Sequence, residues 1–284
     1  VAVVIQVLVS GLAVGGIAGV GATVVSLLYR LTGVVLLGFG GLMSVAIVLV
    51  AAPSGLSGAG LAAVAVAAAT CLAAITYRVA LVDALVADER SWVLAVVASA
   101  ALLDALARIG FRGRVLVVPS LLGTSTMRVA GALIETRAVL VAGLAGLVAA
   151  AGAYVLGRTR TGRALRAVTD DRAAALLVGV PVARLTTIAF AVAGALAALA
   201  ALAATAGGPV DATSGELLGA RAVAIAFAVG FAGPGRAYVA GLAFGVLEEA
   251  VSALDPGPAW LASSATVLPL LGCLAVGLAR GRSR

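Results

Sequence analysis

The chain has 284 residues, of which 63% are hydrophobic, 11% charged and 4% aromatic, whereas ordinary globular domains run about 45–50% apolar and about 25% charged. With a mean hydropathy of +1.21, a soluble fold of this length has too much water-facing surface to hide so much aliphatic mass, so the composition is that of an integral membrane protein. There is no His, which removes imidazole metal sites, Ser-His triads and His proton relays, and the net charge of +7 rests on 19 Arg and no Lys.

A helix needs about 20 largely apolar residues to cross a bilayer core. The runs 2–28, 34–52, 56–76, 91–108, 138–157, 184–206, 217–232, 237–253 and 260–279 reach or approach that length. The third and the last three are short or irregular, which gives an all-α, polytopic bundle of about 8–10 spans, a single transmembrane domain over 1–284. The chain opens on Val1 rather than Met, as a processed chain or a piece of a longer polypeptide does. Gly11, Gly15 and Gly19 recur at four-residue spacing in the first run, and Gly241 and Gly245 in the eighth; such spacing lets helix backbones approach closely. Pro53-Ser-Gly, Gly207-Gly-Pro, Gly233-Pro-Gly and Asp255-Pro-Gly-Pro punctuate the runs as turns. Trp92 and Trp260 each open a run, where indoles prefer the headgroup layer, and Pro269 predicts a kink in the last one. Cys71 and Cys273 sit alone in apolar runs and read as small buried hydrophobes.

Few charges fall inside the runs. Asp104 and Arg108 are four apart on one helix face and read as a local ion pair. Arg221 lies one turn inside its run, from which it can snorkel outward. Glu248 and Glu249 lie near the outer end of the eighth run, with one of them facing the bundle interior. These charges do not form the carboxylate chain of a proton-driven pump.

Arg placement sets an orientation. With the N-terminus outside and nine crossings, the cytoplasmic side receives Arg30, Arg78, Arg90, the loop 158–184, Arg236 and the tail Arg280, Arg282 and Arg284. The segment 108–137 resists, because it falls outside yet carries Arg108, Arg112, Arg114, Arg128 and Arg137. Part of 115–134 is a candidate for re-entry into the membrane.

The loop 158–184 is polar and basic, with Leu165, Val168, Ala173, Leu176 and Leu177 at helical spacing, and Gly179-Val-Pro181 as a helix stop. It predicts a short amphipathic helix at the cytoplasmic surface. Composition fits a lipid anchor and a docking helix equally well.

The residue order resembles the cytoplasmic loop of permease subunits of branched-chain amino acid ABC importers, which reads T-x-x-G-R-A-L-R-A-V-x-x-D-R-E-A-A-x-L-L-G-I. Thr159, Gly162-Arg163-Ala164-Leu165-Arg166-Ala167-Val168, Asp171-Arg172, Ala174-Ala175 and Gly179 match without a gap, while Ala173 replaces the family's Glu and removes a charge from the pairing surface. The resemblance continues at Gln6, Gly11-Leu12, Gly15, Ile17, Ala22, Ser26 and Tyr29, and at Arg221-Ala222, Gly230, Ala237, Gly241, Gly245 and Glu248. It breaks where the family's I-N-F-A-H-G-E becomes Val35-Leu36-Leu37-Gly38-Phe39-Gly40-Gly41, a purely apolar element here.

The resemblance implies an ATP-driven importer subunit whose coupling loop, with Gly162, Arg163, Arg166, Asp170, Asp171, Arg172, Ala174, Ala175 and Gly179, sits in a groove of an ATPase. It further implies a second homologous permease, two cytoplasmic ATPase subunits that bind ATP and Mg, and an extracytoplasmic substrate-binding protein, at a bacterial inner membrane. Nucleic acid is not among the expected partners, and no cofactor is expected in this chain, which lacks a GxxxxGK[ST] phosphate loop. Branched-chain or other aliphatic amino acids are the substrates expected, moved by alternating access. Urea, short amides or sugars in a related importer are the alternative. A self-sufficient secondary transporter or channel would use interrupted helices, for which Gly38, Gly40, Gly41 and Gly230 are the candidate path residues. An intramembrane enzyme has no plausible catalytic set here.

Overall fold

The computed structural model describes residues 2–33, 35–51, 58–81, 91–117, 126–129, 132–205, 209–231, 233–254, 271–273 and 275. Among them are ten α-helices: α1 (Ala2–Thr32), α2 (Phe39–Ala51), α3 (Gly58–Thr76), α4 (Ser91–Phe111), α5 (Thr136–Arg158), α6 (Arg160–Asp170), α7 (Arg172–Leu177), α8 (Val182–Thr205), α9 (Ala212–Ala228) and α10 (Pro234–Leu254). A π-helical turn, Tyr77–Leu81, prolongs α3. Eight of the helices take up the first eight apolar runs, and α6 and α7 fill the basic loop. The ninth run, with Trp260 and Pro269, lies almost wholly outside the described residues, as do the Pro53 turn and the side chain of Trp92. By length and composition α1, α3, α4 and α8 can each cross a membrane, and α2 and α5 hold shorter apolar stretches.

Two helices form the centre. α1 packs on α5, α8, α9 and most extensively on α10, while α2 packs on α3, α4, α8 and α9. Nine of the thirteen residues of α2 are buried, including Phe39, Leu42, Met43 and Ile47. The outer helices show the opposite: α4 leaves Leu94 at 72% and Ile109 at 70% exposure. A soluble protein does not present such a face, whereas lipid tails cover it without penalty.

Bare aliphatic surfaces do not attract one another in lipid, so helices are held by close packing. The α1–α10 contact is antiparallel and built on glycine. A Cβ placed on Gly11 would stand 2.7 Å from Val246 Cα, one on Gly15 2.7 Å from Gly241 O, and one on Gly19 2.9 Å from Tyr238 O. From the other side, a Cβ on Gly241 would strike the Gly19 backbone, and one on Gly245 the backbones of Gly15 and Gly11. A second seam joins α2 to α9, where a Cβ on Gly219 would stand 2.5 Å from Gly40 Cα and one on Gly40 2.8 Å from Gly215 O. On the far side of the bundle a Cβ on Gly194 of α8 would strike the carbonyl of Ala69 in α3.

The run 34–52 is not one helix. Gly33 turns left-handed at φ 74 and ends α1, residues 35–38 are non-helical, and α2 starts only at Phe39. At about 1.5 Å per residue its 13 residues fall short of a bilayer core of about 30 Å. The segment 108–137 also departs from a purely helical reading. β1 (Leu116–Val117) pairs antiparallel with β4 (Pro209–Val210), and β2 (Thr126–Val129) pairs with β3 (Ala132–Glu135). The first pair ties this Arg-bearing segment to the start of α9, and β3 touches α1. Both pairs therefore stand at the end of the bundle opposite the α6–α7 loop.

At that end Asp211 caps α9. Its carboxylate accepts from the backbone N–H of Thr213 and Ser214, and its own N–H donates to Ser214 Oγ, closing a capping box. Hydrogen bonds from Ser214 and Thr213 hold this carboxyl below its ordinary value.

Gly15→Ala is expected to force α1 and α10 apart and to cost about 1–3 kcal/mol in unfolding in detergent. Gly143→Ala on α5, where nothing lies within 4 Å of the added methyl, is expected to be neutral or to stabilise by about 0.5–1 kcal/mol. Equal effects at the two positions would contradict the seam.

Candidate functional site

The basic loop is a folded unit. Thr159 caps α6: its hydroxyl donates to Val155 O at 2.7 Å and accepts from the N–H of Gly162 at 3.0 Å. In α6 the spacing of Gly162, Leu165 and Val168 puts them on one face, and that face is buried, against the ends of α1, α5 and α8. Arg160, Arg163, Arg166 and Ala167 are exposed on the other.

The expected continuous helix through to Gly179 is broken at Asp171. Its backbone is extended, at φ −150 and ψ 105, and its N–H donates to Ala167 O to close α6. Its carboxylate accepts from Ala174 N at 3.0 Å to open α7. An Asp side chain competes with the helix for backbone donors, and here it splits one helix into two. α7 then ends in a Schellman turn. Gly179 is left-handed at φ 83, and the N–H of Val180 reaches back to Ala175 O at 3.0 Å.

The individual loop residues divide sharply. Gly162 and Ala175 are buried, Asp170, Asp171, Ala174 and Gly179 are exposed, and the side chain of Arg172 lies outside the described residues. Leu177, expected on the apolar helix face, is 89% exposed, and Val178 beside it 84%; the break at Asp171 rotates them away from the face that carries Leu165 and Val168. Arg166 turns back, its Nη2 donating to Gly157 O at 2.9 Å, where a cation meets the negative end of α5. Arg163 is exposed and makes no ion pair among the described residues. Asp170 is paired with Arg30 at 3.3 Å, a partner 140 positions away that no local pattern identifies.

Of the candidate path glycines, Gly38 and Gly41 lie together against Leu103 of α4, and Gly40 and Gly230 lie elsewhere. Gly40 is packed in the α2–α9 seam. A Cβ on Gly38 would stand 2.8 Å from Leu103 Cδ1, and one on Gly41 2.7 Å from Leu103 Cβ and 2.8 Å from Asp104 Oδ1. Gly230 is exposed and left-handed, at φ 63, at the turn between α9 and α10. Gly215 and Gly219, which close the α2–α9 seam, are not singled out by sequence alone, although their four-residue spacing is the signal that picks out the α1 glycines.

Two pairs of the intramembrane charges bridge helices rather than running along one. Arg108 of α4 binds Glu216 of α9 instead of Asp104, whose carboxylate lies against Gly41 of α2. An i,i+4 pair is worth only about 0.2–0.5 kcal/mol, too little to hold Arg108 when a second carboxylate faces it from a neighbouring helix. Arg221 does not snorkel: its Nη2 lies 2.6 Å from Glu248 Oε1, with side chains only 13% and 10% exposed. For a cation within the bundle a facing carboxylate is nearer than water. Among the described residues no group of three or more His, Cys, Asp or Glu is placed to hold a metal ion.

Removing one partner of a buried pair leaves an uncompensated charge. Glu248→Ala is therefore expected to cost about 3–5 kcal/mol in detergent unfolding, whereas Arg221→Leu with Glu248→Leu restores most of that loss. A double variant no more stable than the single one would mean that the charges act separately.

With this geometry in place, the sequence model of one family, described as "Branched-chain amino acid transport system / permease component", matches residues 7–274. No curated protein and no solved structure matches the chain significantly. A match over nearly the whole length is decisive: the chain belongs to the family of ABC-type permease components of branched-chain amino acid transport, and is a multi-pass transport subunit of that class.

Proposed function

We propose that the chain imports branched-chain or other aliphatic amino acids as one permease of a pair, driven by two ATPase subunits and fed by an extracytoplasmic binding protein. The observation that carries the reading is the α6–α7 unit. It is capped at Thr159, split at Asp171 and seated by Leu165 and Val168 on the ends of α1, α5 and α8. Its outer surface offers Arg163 and the aliphatic pair Leu177 and Val178. A pure lipid anchor would turn its apolar face outward to the membrane; this helix turns that face inward and presents cationic and aliphatic side chains to whatever docks.

On this reading residues 1–284 form one transmembrane domain whose Arg-rich end is cytoplasmic, at a bacterial inner membrane, and 158–184 is the coupling loop. ATP and Mg bind only on the partners. Closure of the two ATPases pushes α6 and α7, and the permease pair opens by turns to either side. The apolar interior suits an aliphatic side chain, and the binding protein does most of the selecting.

The test is purification of the tagged chain from native membranes in gentle detergent, with its companions identified by mass spectrometry. An ATPase and a second permease are expected. Arg163→Glu, alone and with Arg166→Glu, is expected to lower recovery of the ATPase at least tenfold while membrane insertion is unchanged. Arg163→Glu is the cleaner variant, because Arg166 also caps α5. Full ATPase recovery with both substitutions would remove the loop from the interface. Recovery of the chain alone, moving solute in liposomes without ATP, would replace the reading with a secondary transporter.

A further inference from the structure

In the sequence Arg30 is one cytoplasmic arginine among several, but the structure places it at a junction. It stands in the last turn of α1, and its Nη2 meets Asp170 Oδ1 at 3.3 Å, at the last residue of α6. Its Nη1 lies 3.4 Å from where a Cβ on Gly233 would stand, in the turn that enters α10. One guanidinium thus touches the coupling loop on one side and borders the α9–α10 turn on the other.

The surroundings of Arg30 bind α1 to that turn. Tyr29 stacks on Phe231, with centroids 4.1 Å apart and planes at 25°. Phe231 is held left-handed, at φ 51, a conformation a bulky residue adopts only under constraint. Thr23 Oγ1, which donates back to Gly19 O at 2.8 Å, also lies 3.1 Å from the carbonyl of Pro234, the first residue of α10. Further along, at Gly11, Gly15 and Gly19, the glycine seam brings the backbones of α1 and α10 into direct contact. Two helices in backbone contact over this length do not slide past one another; they move together. At the far end α10 carries Glu248 and its bond to Arg221 of α9.

We propose that Arg30 is a positioning residue that links the coupling loop to the α1–α10 pair, so that displacement of α6 becomes displacement of the opposite end of α10. The Arg30–Asp170 pair is too exposed, at 35% and 72%, to matter much for stability. Its consequence is positional: without it α6 keeps its apolar face and the Arg166 bond to Gly157 O of α5, but loses its polar link to the end of α1. The inference rests on the permease reading above.

The experiment uses the assembled complex with its ATPase, in liposomes, with Cys71 and Cys273 replaced by Ala and one cysteine introduced as Ser252→Cys. Ser252 is exposed, near the far end of α10. The readout is the change in maleimide labelling at that position when ATP is added. It needs no knowledge of the transported substrate. Arg30→Gln is expected to reduce that change at least threefold, with ATPase recovery and basal ATP hydrolysis unaltered. The swapped pair, Arg30→Asp with Asp170→Arg, is expected to restore at least half of it. An undiminished change in Arg30→Gln would overturn the proposal, and so would a swapped pair as silent as the single variant. Failure of the permease reading looks different: no ATPase is recovered, and ATP changes nothing before any substitution at Arg30.

Discussion

Everything in this bundle depends on how closely α1 and α10 approach. Lipid supplies no hydrophobic force to press two aliphatic helices together, so cohesion comes from dispersion and weak contacts at short range, which scale with how near the backbones come. Glycines at four-residue spacing on both helices clear side chains from the contact. The abundance of Ala and Gly that makes the composition so unlike a soluble protein is thus the material of the fold. Gly219 against Gly40 and Gly194 against Ala69 repeat the device at α2–α9 and α3–α8. Large side chains act in the opposite way, with Phe39, Leu42, Met43 and Ile47 filling the centre where α2 meets four neighbours.

A bundle held this way tolerates few charges, and two pairs of them link helices. Glu216 of α9 meets Arg108 of α4, and Glu248 of α10 meets Arg221 of α9. The α9–α10 contact is modest apart from this pair, while α1 packs on both helices. The Arg221–Glu248 bond therefore closes a triangle whose other two sides are apolar packing. A charge pair is a poor source of net stability when buried, since each ion loses its water. It is a good source of specificity, because only one rotation of each helix brings the two groups together.

What the sequence discloses and what it hides divides along the same line. Local properties were legible. Runs of apolar residues became eight helices, Gly11, Gly15 and Gly19 came to lie against a helix backbone, and Leu165 and Val168 formed the buried face of α6. Choices between partners were not. Asp104 was the nearest carboxylate to Arg108 in the chain, yet Glu216 was the nearest in space. Arg221 had a stem long enough to snorkel, but snorkelling competes with a partner on another helix whose depth no one-dimensional pattern records. The split at Asp171 turned on one side chain capturing one N–H, a contest of small energies. The strands at 116–117, 126–129 and 132–135 were masked by an Arg content that resembled a misplaced inner loop.

The two ends of the molecule differ in how their backbone is satisfied, and this bears on how motion enters. At the end with Asp211, β1–β4 pairing and a capping box hold the loops to the helix termini. At the other end, α6 and α7 are rigid within themselves, each turn fixed by a side chain or a left-handed glycine, yet among the described residues they rest on the bundle through a narrow apolar face, the Arg166 bond to the end of α5 and an exposed ion pair. A unit stiff inside and lightly attached outside moves as a body when pushed. That ion pair leads to α1, the helix with the least freedom to move alone. On the proposed reading, force applied there would pass to α10, because the glycine seam that stabilises the fold also leaves the two helices little room to move independently.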